Sequence, residues 1–316
     1  MDAFNFALVL LVFMFLGFIA NKLKIVDSNF LNSLTSLVFK VIFPAMIINS
    51  MQMKDSSEYL MNGLTLIVIS SVILAFLFIL GTIMNKITGC KGDKARILRH
   101  GLIFPNFTFL AFPVMESLYG QKGLFYISFF TIPVRISYYM FSGFLVKGFN
   151  TNEDKAQRKK YILENIKKAC LTPAVIAVPV GLCIYFFSIP LPFFISKSMS
   201  MLAASAAPLG MLISGLALPL DGFKDAFKDK KILFQALINM VIAPLIAFLL
   251  LGIMDIDPLV KKITILYCAL PMASSAVVFA IQYKSDLDTC VKCILATNVF
   301  SVLTLPFWSW VVERFI

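Results

Sequence analysis

Ten apolar stretches run the length of this chain, and each is close to the ~20 residues that a helix needs to cross a bilayer. They lie near 4–21, 30–51, 60–84, 97–119, 123–146, 170–188, 198–220, 232–254, 260–282 and 288–312. Lipid offers no partner to a backbone N–H or C=O, so such stretches become helices. They are too long and too uniformly apolar for the alternating strands of a membrane barrel. Hydrophobic residues make up 59% of the chain and charged residues 14%, against about 45–50% and 25% in soluble domains. The expected fold is therefore an all-α integral membrane protein with ten transmembrane helices. The first stretch has no basic run before it, as a secretory signal would, and reads as the first membrane helix.

Two of the ten are interrupted. Segment four, GLIFPNFTFLAFPVMESLYG, carries Pro105, Asn106 and Pro113. Segment nine, ILYCALPMASSAVVFAIQYK, carries Pro271 and then Ala273-Ser274-Ser275-Ala276. A proline inside a helix frees a carbonyl and kinks or breaks the helix. Membranes tolerate that where the freed groups are buried in protein or line a wet cavity. A matched pair of breaks, one per half, is a sequence pointer to a transporter binding site.

Charge sets the orientation. The odd-numbered connections and their flanks carry 19 of the 28 Lys and Arg, and the even-numbered ones with the C-terminus carry 6. Cytoplasmic loops are the basic ones, so both termini are expected to be extracytoplasmic. Segment two contains Phe43-Pro44-Ala45, and segment seven contains Ala207-Pro208-Leu209. Five segments per half is an odd number, so the second half inserts upside down. The expectation is two inverted five-helix repeats with broken, crossing helices four and nine. Residues 1–146 form the first repeat, 147–169 a cytoplasmic linker and 170–316 the second repeat. The net charge of +11 sits in short loops between apolar segments, which argues against nucleic acid as a partner.

Half-helix ends that meet at the midplane present free N–H groups to anions and free carbonyls to cations. Asn106 can donate and accept, either to a carboxylate or as a helix cap at the break. Ser274 and Ser275 either offer hydroxyls or let helices approach closely. Arg135, near the centre of segment five, is a costly intramembrane charge whose planar fork matches a carboxylate. The alternative is a structural ion pair with Glu116. Glu116 is the only acid well inside a span, and either carries a coupling proton or is structural. Lys40 can snorkel from segment two, and Lys292 is placed to pair with Asp288. Cys290-Val-Lys-Cys293 has metal-like spacing without a nearby histidine, so it reads as buried small residues. No cofactor is expected. The cations within the spans outnumber the acids, which leans toward an organic anion.

Phe104-Pro105-Asn106-Phe107-Thr108-Phe109-Leu110-Ala111-Phe112-Pro113-Val114, with Leu118-Tyr119-Gly120 after it, resembles a stretch of the auxin efflux carrier family. Ala269-Leu270-Pro271, Phe279-Ala280 and Tyr283 resemble that family's second broken helix, and Phe43-Pro44-Ala45 its second segment. The likeness covers nearly the whole chain. It implies a fold like that of the bile-acid symporters, with segments one, two, six and seven as scaffold and three to five and eight to ten as transport domain. It also implies substrate beside the crossing, contacted by Asn106 and by positions on segments two and five. Asn49 and Ser50 fall in the matching part of segment two, and Arg135 and Tyr139 in that of segment five. Pro113 and Pro271 mark the breaks. The plant branch forms dimers, so a homodimer is the expectation. The plant carriers have a long loop between halves, whereas here only Lys147 to Ala169 connects them, as in the bacterial malate or malonate permease branch. The resemblance puts Arg135 at or next to a position that is a neutral glutamine in auxin carriers, which favours a smaller or more acidic anion than auxin.

The expected function is secondary transport of mono- or dicarboxylates across the cell (inner) membrane by alternating access, with a proton or sodium as coupling ion. The alternative is a sodium-coupled organic anion symporter of bile-acid type, which would need carboxylates or free carbonyls at the crossing. A membrane-embedded enzyme would need a nucleophile and base or paired acids or histidines, and no such set is visible. No ATP-binding motif is present.

Overall fold

The computed structural model describes residues 3–52, 57–107, 109–147, 163–164, 167, 170–187, 189–218 and 223–316. The expected 147–169 linker lies almost wholly outside the described residues, as does Thr108. All regular elements among the described residues are helical. They are α1 (Ala3–Lys22), α2 (Ser28–Leu37), α3 (Phe43–Ser50), α4 (Ser57–Thr88), α5 (Gly92–Ile103), α6 (Ala111–Lys147) and α7 (Pro173–Phe186). There follow α8 (Phe193–Leu216), α9 (Phe223–Ala226), α10 (Lys230–Leu237), α11 (Ala243–Gly252), α12 (Pro258–Cys268), α13 (Ala276–Gln282) and α14 (Leu287–Phe315). Six described spans are long and apolar enough to cross a membrane: 29–50, 58–88, 111–147, 193–216, 230–252 and 287–315. Shorter apolar helices lie at Leu11–Lys22 and Pro173–Phe186.

Prolines shape two of the spans in the same way. A five-residue π-helical turn, Val38–Ile42, joins α2 to α3, and another, Ile238–Ile242, joins α10 to α11. Pro44 and Pro244 follow directly. A proline lacks the N–H for the bond four residues back, and its ring collides with that carbonyl. One wide turn moves the carbonyl aside, so the helix continues instead of breaking. Helix starts are fixed by aspartates. Asp27, Asp257 and Asp286 accept from the N–H groups of Phe30, Leu259 and Thr289 at 2.7, 2.8 and 2.9 Å. Each such cap is worth about 1 kcal/mol.

The predicted connection between segments four and five is a tight reversal inside α6, which is two helices joined at Gly120. At ~1.5 Å per residue a straight helix of that length would be about 55 Å long, far more than a bilayer's hydrocarbon. Gly120, at φ 58° and ψ −143°, takes a backbone shape open only to glycine. The chain folds back there, so that Gly123 packs against the carbonyl of Met115.

Helices α1 and α8 cross backbone to backbone. A Cβ on Gly17 would lie 2.2 Å from the Leu212 oxygen, and one on Gly215 would lie 1.9 Å from the Met14 oxygen. Asn21 on α1 ties the end of α8 by donating to the carbonyls of Leu216 and Leu218 at 2.9 and 3.1 Å. Where lipid removes the hydrophobic drive between helices, such close contact supplies the association. Gly215→Leu should force the pair apart and cost about 3 kcal/mol. The check is the melting temperature of detergent-purified protein, and an unchanged value would contradict this crossing.

Candidate functional site

The two interruptions meet. Helix α5 ends at Ile103 and α6 begins at Ala111; α12 ends at Cys268 and α13 begins at Ala276. Between them Pro105 and Met272 form an isolated antiparallel bridge. The N–H of Asn106 donates to the Pro271 carbonyl at 2.7 Å, and that of Ala273 to the Phe104 carbonyl at 3.4 Å. Neighbouring helices satisfy more of the freed backbone. The N–H of Met272 donates to Thr297 Oγ1 at 3.1 Å, and Asn239 Nδ2 donates to the Leu270 carbonyl at 3.3 Å. Asn239 lies in the second π turn, so the wide turn also serves the second break.

One break differs from expectation, and the extent of the other is defined. Pro113 does not break a helix. It is the third residue of α6, in the first turn, where a missing N–H costs nothing. The second break runs over 269–275 and closes before Ala276, which opens α13.

Asn106 is 1% exposed. Its Oδ1 accepts from the Phe109 N–H at 3.1 Å, and its carbonyl accepts from Leu110 and Ala111, both at 3.2 Å. The capping role is thus filled by one end of the amide. The other end, Nδ2, is buried and has no partner among the described residues.

Arg135 is 5% exposed. Its Cζ stands 5.5 Å from the centre of the Phe107 ring, next in sequence to Asn106. Its Nη2 is buried without a hydrogen-bond partner, and no carboxylate lies within ion-pair distance among the described residues. The ion pair with Glu116 does not form. The two residues flank the reversal at Gly120. Glu116 is near that reversal, half-buried, with Oε2 unpartnered. Lys292 does pair with Asp288, as the spacing implies. Lys40 is exposed.

Arg135, Tyr138, Tyr139 and Ser142 recur at helical spacing along one face of α6. Tyr138 holds the two breaks together. Its hydroxyl is 2.7 Å from Ser275 Oγ, and its ring lies 5.2 Å from Phe104, 5.3 Å from Phe107 and 5.2 Å from Phe279. The structure therefore gathers Asn106, Arg135, Pro271 and Ser275, with Tyr139 packed edge-on to Tyr138 at 5.7 Å. Ser274 is half-buried beside Ser275. Asn49 and Ser50 are buried. Ser50 Oγ donates to its own helix at the Ile47 carbonyl, 2.7 Å away, and no hydrogen bond or ring contact among the described residues links either to the crossing. Segment two reaches the first break higher up, where Phe43 stacks on Phe112 and Phe39 packs edge-on to Phe109.

Sequence reasoning passed over Tyr138 and His100. Tyr138 sits three residues after Arg135, a spacing that could have flagged it. His100, fully buried on α5, places Nε2 2.9 Å from Ser142 Oγ. With Oγ partners and no acid, this is a structural pair. Among the described residues no cluster of three or more His, Cys, Asp or Glu could hold a metal ion.

Buried donors without acceptors thus lie at and near two mutually bonded helix breaks. Known proteins give the class. The chain is 24% identical over 308 residues to an uncharacterized transporter from Methanocaldococcus jannaschii, covering 96% of this chain and 97% of that one. It is 24% identical over 309 residues to an uncharacterized transporter from Methanothermobacter thermautotrophicus, covering 96% of each. Residues 3–309 match the family described as membrane transport protein, which takes in the auxin efflux carriers, and the chain belongs to that family.

Proposed function

We propose that the protein is a secondary carrier of organic anions, mono- or dicarboxylates, working by alternating access. The observation that carries this reading is Arg135, buried without a carboxylate partner and facing the Phe107 ring, together with the unpartnered Nδ2 of Asn106, the residue before Phe107. Burying a lone charge costs several kcal/mol. A site that keeps one empty is suited to a ligand that supplies the opposite sign. The aromatic rings of Phe107, Tyr138 and Phe279 give such a ligand's carbon body an apolar wall.

In this reading the ten segments form two inverted five-segment repeats. Segments three to five and eight to ten move as a transport domain against a scaffold of one, two, six and seven. The chain sits in the cell (inner) membrane with both termini extracytoplasmic, as a homodimer. Asn49 and Ser50 line the path on the scaffold side, and Ser274, Ser275 and Tyr139 border the substrate. Glu116, with its unpartnered Oε2, is the candidate for a coupling proton. A sodium-coupled mechanism is the second reading. It has less support, because the carbonyls of Phe104, Leu270 and Pro271 are already engaged.

Purified protein in liposomes preloaded with unlabelled carboxylates should show saturable counterflow of the labelled anion. Absence of exchange for every mono- and dicarboxylate tried would remove the proposal. Dependence on a sodium gradient at fixed pH would favour the second reading over proton coupling.

A further inference from the structure

A cleft of about 480 Å³ opens on the face of α6 turned away from the crossing. Its walls include Phe78 of α4, Arg99 of α5, and Ser137, Phe141 and Phe144 of α6, with Phe104 at its floor. Apart from Arg99 and Ser137 these are apolar. Phe78 and Phe141, each 43% exposed, stand at the mouth on the outer surface of the helix bundle. The cleft therefore opens sideways, toward the bilayer.

Arg99 is the unusual member. Its Cζ lies 5.2 Å from the centre of the Phe78 ring, and its Nε is buried without a partner. It has no carboxylate within ion-pair distance among the described residues, whereas its neighbour Arg96 is paired with Asp93. The path of the side chain across α4 is prepared: a Cβ on Gly81 would come within 2.9 Å of Arg99 Cγ. A notch in one helix thus lets an unneutralised guanidinium lie along the cleft.

We infer that this cleft binds one anionic phospholipid, its phosphate on Arg99 and an acyl chain against Phe78, Phe141 and Phe144. The guanidinium fork matches phosphate oxygens two at a time. Basic pockets between membrane helices are where anionic headgroups seat. A water-soluble anion finds one cation here and almost no polar partner for the rest of its body, so the aromatic walls favour an acyl chain. A phosphatidylcholine brings its own cation next to Arg99, so the site discriminates by headgroup charge. Phe104 is shared, since its ring also packs on Tyr138, and the bound lipid therefore rests against the first break.

Native mass spectrometry of the detergent-purified chain, titrated with phosphatidylglycerol or phosphatidylcholine, tests this. Wild type should retain one phosphatidylglycerol at about tenfold lower concentration than phosphatidylcholine, since both offer a phosphate to Arg99 and only phosphatidylcholine adds a like charge beside it. Arg99→Gln should erase that preference. Ser137→Trp, which fills the cleft and keeps the charge, should lower retention of both lipids, and it carries the test should Arg99→Gln fail to fold. Equal retention of the two lipids by wild type would overturn the assignment. So would a preference unchanged in Arg99→Gln, or displacement of the lipid by a soluble carboxylate, which would make the cleft part of the solute path.

Discussion

Asn106→Ala should abolish anion exchange while the protein still folds. The side chain has two ends with separate tasks. Oδ1 caps the start of α6 through the Phe109 N–H at 3.1 Å, and Nδ2 is buried with no acceptor. Alanine removes both. The lost cap costs about 1 kcal/mol, which the remaining bonds between the breaks can absorb: Asn106 N–H to Pro271 and Ala273 N–H to Phe104 are backbone contacts and survive. The lost donor costs more, because hydrogen bonds to charged groups are worth about 1.5–3 kcal/mol, or roughly 10- to 150-fold in affinity. Asn106→Asp separates the tasks. It keeps the capping oxygen and puts a negative charge where the donor was, so it should bind anion no better than the alanine variant. Counterflow and thermal melts on both variants check this. Exchange at the wild-type rate by Asn106→Asp would take Asn106 out of the site.

Much of this arrangement was legible in the sequence, for identifiable reasons. Prolines and an arginine inside apolar stretches are conspicuous because lipid penalises both. They led directly to the two interruptions and to Arg135. What they could not give was register. Pro113 looked like part of the break, but a proline in the first turn of a helix starts it instead of ending it. Pro44 and Pro244 could have broken their helices, but a wide turn absorbed each. Which outcome a proline produces depends on neighbours far away in sequence, such as Asn239, which reaches the second break from its own wide turn. The same limit hid Tyr138. Tyr138 and Tyr139 are adjacent and alike in composition, and only the direction of the α6 face decides which one meets Ser275. Asn49 and Ser50 were singled out by likeness of segment, and in the structure Ser50 donates its hydroxyl to its own helix.

Arg135→Gln should weaken anion binding and stabilise the empty protein. The two effects have opposite signs because the guanidinium is buried at 5% exposure without a carboxylate partner. In the empty site it is an uncompensated charge, and replacing such a group by a neutral one of similar reach recovers part of a desolvation cost of several kcal/mol. A gain of about 1–2 kcal/mol is expected, read as a higher melting temperature without ligand. With ligand the order reverses. Bound anion raises the melting temperature in proportion to RT ln(1 + [L]/Kd), and the variant, with affinity lower by about 2 kcal/mol or more, gains little. Dicarboxylates should lose more than monocarboxylates, because a second carboxylate adds negative charge to a site whose cation has gone. Thermal shifts with a matched pair of mono- and dicarboxylates, run on wild type and variant, read all three effects at once. A structural arginine gives a different pattern: a lower melting temperature for the empty variant, poor expression and equal loss for both anion classes. That result would move Arg135 from substrate site to scaffold, and the sign of the solute would then rest on Asn106 alone.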